Sequence, residues 1–200
     1  MQIDQLIKYE HIHSLVQHRK FNDANHLLDL IAFNNPYEPI WYGFRVIIAS
    51  ENREGHELEH WHKTITHFFP LSVQAKLASA LKPGTKIQDG IKFLKDAIKQ
   101  ASNDPYLYYF LANFYRMQSH YDKALRYYTC CLSIDKDFLL AFPFRMDCNH
   151  KLGNGSAAMA DIINIMTKSP EMNSAYMKKI LQYNLQQLDY PTAQARKFLP

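Results

Sequence analysis

Residues 104–138 read DPYLYYFLANFYRMQSHYDKALRYYTCCLSIDKDF, and this stretch decides the fold. Asp104 is a good N-cap, and Pro105 fits the first helical position, where its missing N–H costs nothing. Tyr108, Leu111, Ala112 and Tyr115 then recur at helical spacing up to a polar break at Ser119-His120. A second helix begins near Tyr121-Asp122, carries Ala124, Leu125, Tyr128, Cys131 and Leu132 on one side, and closes at Ile134-Asp135. The stretch therefore predicts two helices joined by a tight turn. No run of residues alternates cleanly between apolar and polar with hairpin turn signals, so strands find no support.

The same pattern recurs on both sides. Ala24, Leu58, Gly90, Ala124 and Ala158 are small or apolar and lie 34, 32, 34 and 34 residues apart. Prolines echo the period: Pro36 and Pro70 are 34 apart, and Pro170 follows Ala158 by twelve residues, as Pro36 and Pro70 follow Ala24 and Leu58. Five units result, at about 5–38, 39–70, 71–104, 105–138 and 139–172, within one array over 1–200. Residues 173–200, with Tyr176, Ile180, Leu181, Tyr190, Ala193 and Phe198, read as a capping helix pair. Each unit buries its face only against the next, because a small residue lets paired helices approach closely while a bulky one a turn later fills the groove. Pro83-Gly84 is expected to shorten the first helix of the third unit.

These units resemble the tetratricopeptide repeat family, whose signature is W-x2-L-G-x2-Y, then A-x3-F, then P. Tyr108-x2-Leu111-Ala112-x2-Tyr115 followed by Ala124-x3-Tyr128 carries the resemblance best, with Lys136 at the place of the closing proline. Phe142, Gly153, Ala158-x3-Ile162 and Pro170 supply the next unit, and Phe21, Ala24-x3-Leu28 and Pro36 the second helix of the first. The third offers Leu77-Ala78, Leu81, Gly90-x3-Leu94 and Ala97, the second Tyr42, Ala49, Leu58 and Pro70. The resemblance implies an all-α fold, a right-handed superhelix or α-solenoid, that binds proteins in a concave groove and is not an enzyme.

Bulk properties agree with a packed helical chain. Of 200 residues 47% are hydrophobic and 21% charged, and 13 Tyr and 12 Phe stand beside only 6 Gly, which favours packed helices over turn-rich sheets. The net charge is +4, with 12 basic against 11 acidic residues in 1–100 and 11 against 8 in 101–200. Nucleic-acid binding would leave a denser basic stripe, so no nucleic acid is expected as partner. Cys130, Cys131 and Cys148 make no disulfide framework, no secretory signal is visible, and no apolar window reaches the ~20 residues a bilayer needs. The expectation is a cytoplasmic protein without membrane association.

Two sets of residues are candidates for function. In His56-Glu57-Leu58-Glu59-His60 the H-E-x-x-H pattern places two histidines one helical turn apart beside a glutamate, as zinc hydrolases require. Such enzymes need a third protein ligand from elsewhere, Glu59 is charged where they carry an uncharged residue, and the string falls where the array needs a helix with Leu58 inward, so adventitious metal binding through His56 and His60 with His62 or His67 is favoured over catalysis. An exposed helix turn is thus the favoured reading, with no metal, no cofactor and no catalytic residue, and zinc hydrolysis the lesser alternative. The second set follows from the resemblance, which implies that one face of each first helix lines the groove. Projecting that face gives Tyr9, His13, Phe44, Lys76, Lys82, Tyr106, Tyr109, Asn113, Arg116, Phe144, Asp147 and Lys151. Aromatic platforms with cationic heads suit an extended peptide or a helix carrying acidic and apolar residues, since aromatic and Arg side chains supply most hot spots. The two-carboxylate clamp of some such modules needs Lys and Asn where Tyr9 and His13 stand, which disfavours that mode. An adaptor or chaperone is the expected role, and a structural subunit acting through self-association is the alternative.

Overall fold

A computed structural model describes residues 3–168. Among these residues it contains ten helices and no strand. They are α1 (Ile3–Gln17), α2 (Phe21–Asn34), α3 (Pro39–Glu51), α4 (Gly55–Phe68), α5 (Val73–Leu81), α6 (Ile87–Gln100), α7 (Pro105–Met117), α8 (Tyr121–Ile134), α9 (Ala141–Lys151) and α10 (Gly155–Lys168). Two fall in each of the five intervals expected from the repeat, while the expected cap over 173–200 lies outside the described residues. No helix among the described residues is long and apolar enough to cross a membrane.

The chain forms two compact units, 1–107 and 108–200, whose boundary falls in the first turn of α7. In the first unit α1 packs on α2, α2 on α3, α3 on both α4 and α5, α4 on α5, and α5 on α6. In the second, α9 packs on α8 and α10. The small residues that set the period are all inward: Ala24, Ala124 and Ala158 have no exposed surface, Leu58 is 6% exposed, and Gly90 is buried. Around them lie Ile12, Val16, Leu28, Ile65 and Leu94 in the first unit and Leu111, Tyr128, Cys131 and Ile162 in the second. Asp104 caps α7 by accepting a hydrogen bond from the Tyr106 N–H at 2.9 Å, and Ser72 caps α5 by accepting one from the Ala75 N–H at 3.0 Å.

The turns inside four of the pairs are one motif. Arg19, Arg53, Ser119 and Gly153 each follow a first helix with φ between 56° and 77°. At each, the residue's own N–H reaches back three residues and the next N–H reaches back five, as in Arg19 to Val16 and Lys20 to Leu15, or Ser119 to Arg116 and His120 to Tyr115. This is the Schellman closure, which suits glycine because a left-handed residue with a Cβ is strained. Only Gly153 meets that preference. Ser119→Gly is therefore expected to stabilise the second unit by about 0.5–1 kcal/mol, the relieved strain exceeding the entropy that glycine adds to the unfolded chain. Ser119→Val should destabilise it, and a urea titration of both variants checks the pair.

The third pair closes differently. Pro83 ends α5 at Leu81, Gly84 takes φ +82°, and the Thr85 hydroxyl donates to the Ser79 carbonyl at 3.0 Å. Between α4 and α5 stands the half-buried His62, with Nε2 3.3 Å from the Ser79 hydroxyl and Nδ1 buried without a hydrogen-bond partner. Burial holds the His62 pKa below the ordinary 6.5, with Lys82 and Lys63 adding to the effect and Glu59 opposing it. The unfolded chain thus takes up a proton at His62 before the folded chain does, so this contribution to stability is complete above pH 6.5 and is lost as pH falls through the lowered value. His62→Gln should flatten the fall in melting temperature between pH 7.5 and 5; an unchanged profile would count against His62 as its source.

Candidate binding site

Helices α1, α3 and α5 with the segment leading into α7 enclose a cavity of about 450 Å³ within the first unit. Its aromatic wall is Tyr9, Phe44 and Tyr106, its aliphatic wall Ile40, Ile47 and Leu77, and its polar wall Gln74, Gln100, Asn103 and Asp104. The rings brace one another: Tyr9 and Phe44 have centroids 5.4 Å apart, and Phe44 meets Tyr106 edge-on at 5.9 Å. Tyr106 is held from behind, its hydroxyl 3.1 Å from His13 Nδ1 and accepting from Gln17 Nε2 at 3.2 Å. Gly43 lies at the wall because α3 and α5 approach closely there; a Cβ on it would stand 2.6 Å from Gln74 Cγ. Burial pushes the Asp104 carboxyl above its ordinary value, while hydrogen bonds from the Tyr106 and Leu107 backbone and the nearby His13 draw it back.

The second unit gathers a different cluster. The Arg116 guanidinium lies over the Phe144 ring at 4.6 Å and 3.8 Å from an Asp147 carboxylate oxygen, with its Nε buried and without a hydrogen-bond acceptor. The Tyr128 hydroxyl donates to Asn113 Oδ1, and its ring stacks on Phe144 with centroids 6.3 Å apart. Burial pushes the Cys148 thiol up to about 12, reinforced by Asp147 and opposed by Arg116, so it stays a protonated, unreactive thiol at neutral pH.

The residues projected onto the groove thus divide. Tyr9, Phe44 and Tyr106 meet at the cavity with His13 behind them, and Asn113, Arg116, Phe144 and Asp147 meet in the second unit. Lys76 is half-buried and Lys82 and Lys151 are exposed; none of the three lines the cavity. The reading of the aromatics as open platforms needs correction at three places. Phe44 and Tyr106 are each only 2% exposed although they line the cavity, and Tyr109, 1% exposed, is enclosed by Phe110, Tyr128, Phe138 and Phe144. Helical projection assigns a direction to a side chain and not the depth of what covers it. Gln74, Gln100 and Asn103 escaped that projection, and Asp104 was read only as a cap. Gly43, unfavourable inside a helix, was the signal available in the sequence. His56, Glu57 and His60 lie exposed on α4, and among the described residues no three His, Cys, Asp or Glu side chains are grouped to hold a metal ion.

No protein-family model matches the sequence, and no curated protein matches it. Solved structures do. The crystal structure of the APC/C hetero-tetramer Cut9-Hcn1 superposes with a TM-score of 0.64 at 15% identity over 84% of this chain, which spans 35% of that one. A thermophilic TPR protein of Thermus thermophilus matches over 92% of this chain and 98% of its own, with a TM-score of 0.60 at 13% identity. The crystal structure of MamA matches over 79% and 94%, with a TM-score of 0.52 at 16% identity. At such identities the likeness speaks for the fold, and the fold is all-α and tetratricopeptide-repeat-like.

Proposed function

We propose that the chain is a non-enzymatic protein-binding module, an adaptor or chaperone of the cytoplasm, that receives an extended peptide or a helix of a protein partner on the inner faces of its first helices. The cavity bounded by Tyr9, Phe44, Gln74 and Asp104 is the observation that supports this most, because concave, mostly apolar sites with a few polar groups are where partners anchor. The structure of Cut9-Hcn1, which shares the fold, is that of a hetero-tetramer, which accords with this reading. The test is a photo-crosslinking amino acid placed at position 9 or 74, with position 57 on exposed α4 as control. Crosslinks to one protein from 9 and 74 but not from 57 are expected; equal yields from all three would count against the reading.

A second reading, a structural subunit that self-associates, is favoured by a specific surface. Phe33 in the last turn of α2 and Tyr37 three residues beyond it are 89% and 85% exposed, and Phe68 at the end of α4 and Leu71 three residues beyond it are 65% and 85% exposed. Large exposed apolar groups repeated at equivalent places mark contact surfaces. Sedimentation over a hundredfold range of concentration separates the two readings, since a mass that rises with concentration and stays constant after Phe33→Ser with Phe68→Ser belongs to the second.

A further inference from the structure

We propose that the cavity takes the side chain of a basic residue, an arginine or lysine, presented by a segment of the protein partner. This rests on the protein-binding reading above and names the residue that enters. The volume of about 450 Å³ is in the range of small-ligand sites, enough for one long side chain and its flanking backbone and short of what several consecutive residues need. The half-buried Tyr9, backed by Phe44 and Tyr106, offers an apolar wall on which the methylene stem packs. Charge decides the sign. Among the described residues lining the cavity, Asp104 carries the only formal charge, and Gln74 and Asn103 add amide oxygens as further acceptors. A carboxylate entering there would meet a carboxylate with no cation in the lining, whereas a guanidinium or ammonium would be charge-paired and hydrogen-bonded. The acidic partner expected from lysines along the helix faces is thus reversed at this site, because Lys76 and Lys82 do not line it.

The test uses the full chain and three capped pentapeptides, identical except for a central Arg, Leu or Glu, followed by the methyl NMR signals of Ile47 and Leu77. The Arg peptide should move these signals and bind at least tenfold more tightly than the Leu or Glu peptide. Asp104→Asn keeps a good N-cap for α7 while removing the charge, so helicity should be retained and the Arg peptide weakened about tenfold. Tyr9→Leu, which removes an aromatic wall from a half-buried position, should weaken the same peptide and leave the fold intact. Equal or tighter binding of the Leu or Glu peptide, an Arg peptide indifferent to Asp104→Asn, or no shift with any peptide at millimolar concentration would each overturn the proposal. Crosslinking from positions 9 and 74 to a partner, combined with any of those results, would leave the protein-binding reading standing and remove only the basic anchor.

Discussion

Asp161→Ala should lower the stability of the second unit by about 3–5 kcal/mol, the range for removing one member of a buried ion pair. Asp161 lies on α10 with no exposed surface, and Arg145 of α9 reaches it through Nε, 3.1 Å from each carboxylate oxygen, and through Nη2. Asn149, also on α9, donates to Oδ2 at 3.3 Å, and the Arg145 guanidinium lies 5.6 Å from the Phe142 ring. Burial raises the Asp161 pKa and the Arg145 and Asn149 contacts lower it, so the carboxylate is tolerated there by virtue of these partners. Truncation leaves a guanidinium on a largely buried side chain without its counter-ion and the Asn149 amide without its acceptor. The loss should appear as faster amide exchange in α9 and α10, read locally because a chain with two compact units need not unfold in a single step. Arg145→Met with Asp161→Leu should recover most of it, since replacing both partners removes the stranded charge. A loss below 1 kcal/mol for the single variant would show that the pair is not what joins α9 to α10.

The helix pairs were legible because a 34-residue period and small inward residues are local signals, and the buried Ala24, Ala124 and Ala158 are where the period puts them. The grouping of Asn113, Arg116, Phe144 and Asp147 was legible for the same reason, as equivalent positions on consecutive first helices. Asp161 went unread, although its spacing puts a carboxylate on the same helical face as Ala158, Ile162 and Ile165. The left-handed turns at Arg19, Arg53 and Ser119 were hidden because their residues give none of the usual glycine signal. The cavity was hidden for a different reason. It depends on Tyr106 meeting His13, 93 residues away, and helical periodicity carries no information about a contact at that separation.

That contact carries the second large expected effect. Tyr106→Ala should destabilise the first unit by about 3–5 kcal/mol, as truncation of a buried aromatic does when its surroundings cannot collapse. Tyr106 is 2% exposed; its ring meets His13 edge-on at 5.5 Å and Phe44 at 5.9 Å, and its hydroxyl joins Gln17 and His13 of α1 to the first turn of α7. Tyr106→Phe keeps the ring, so it should cost only about 1 kcal/mol, the net worth of an ordinary hydrogen bond. The two variants separate packing from polarity: amide exchange in α1 should rise steeply with alanine and slightly with phenylalanine. Binding of the Arg peptide should be lost with alanine, because the aromatic wall goes with the ring, and largely kept with phenylalanine. If α1 exchanges at the wild-type rate in Tyr106→Ala, then α1 is held by α2 and by the Tyr9–Phe44 contact, and Tyr106 contributes nothing to its order. If phenylalanine is as damaging as alanine, the hydroxyl bridge to His13 and Gln17 holds the wall, and the ring merely fills the space that bridge encloses.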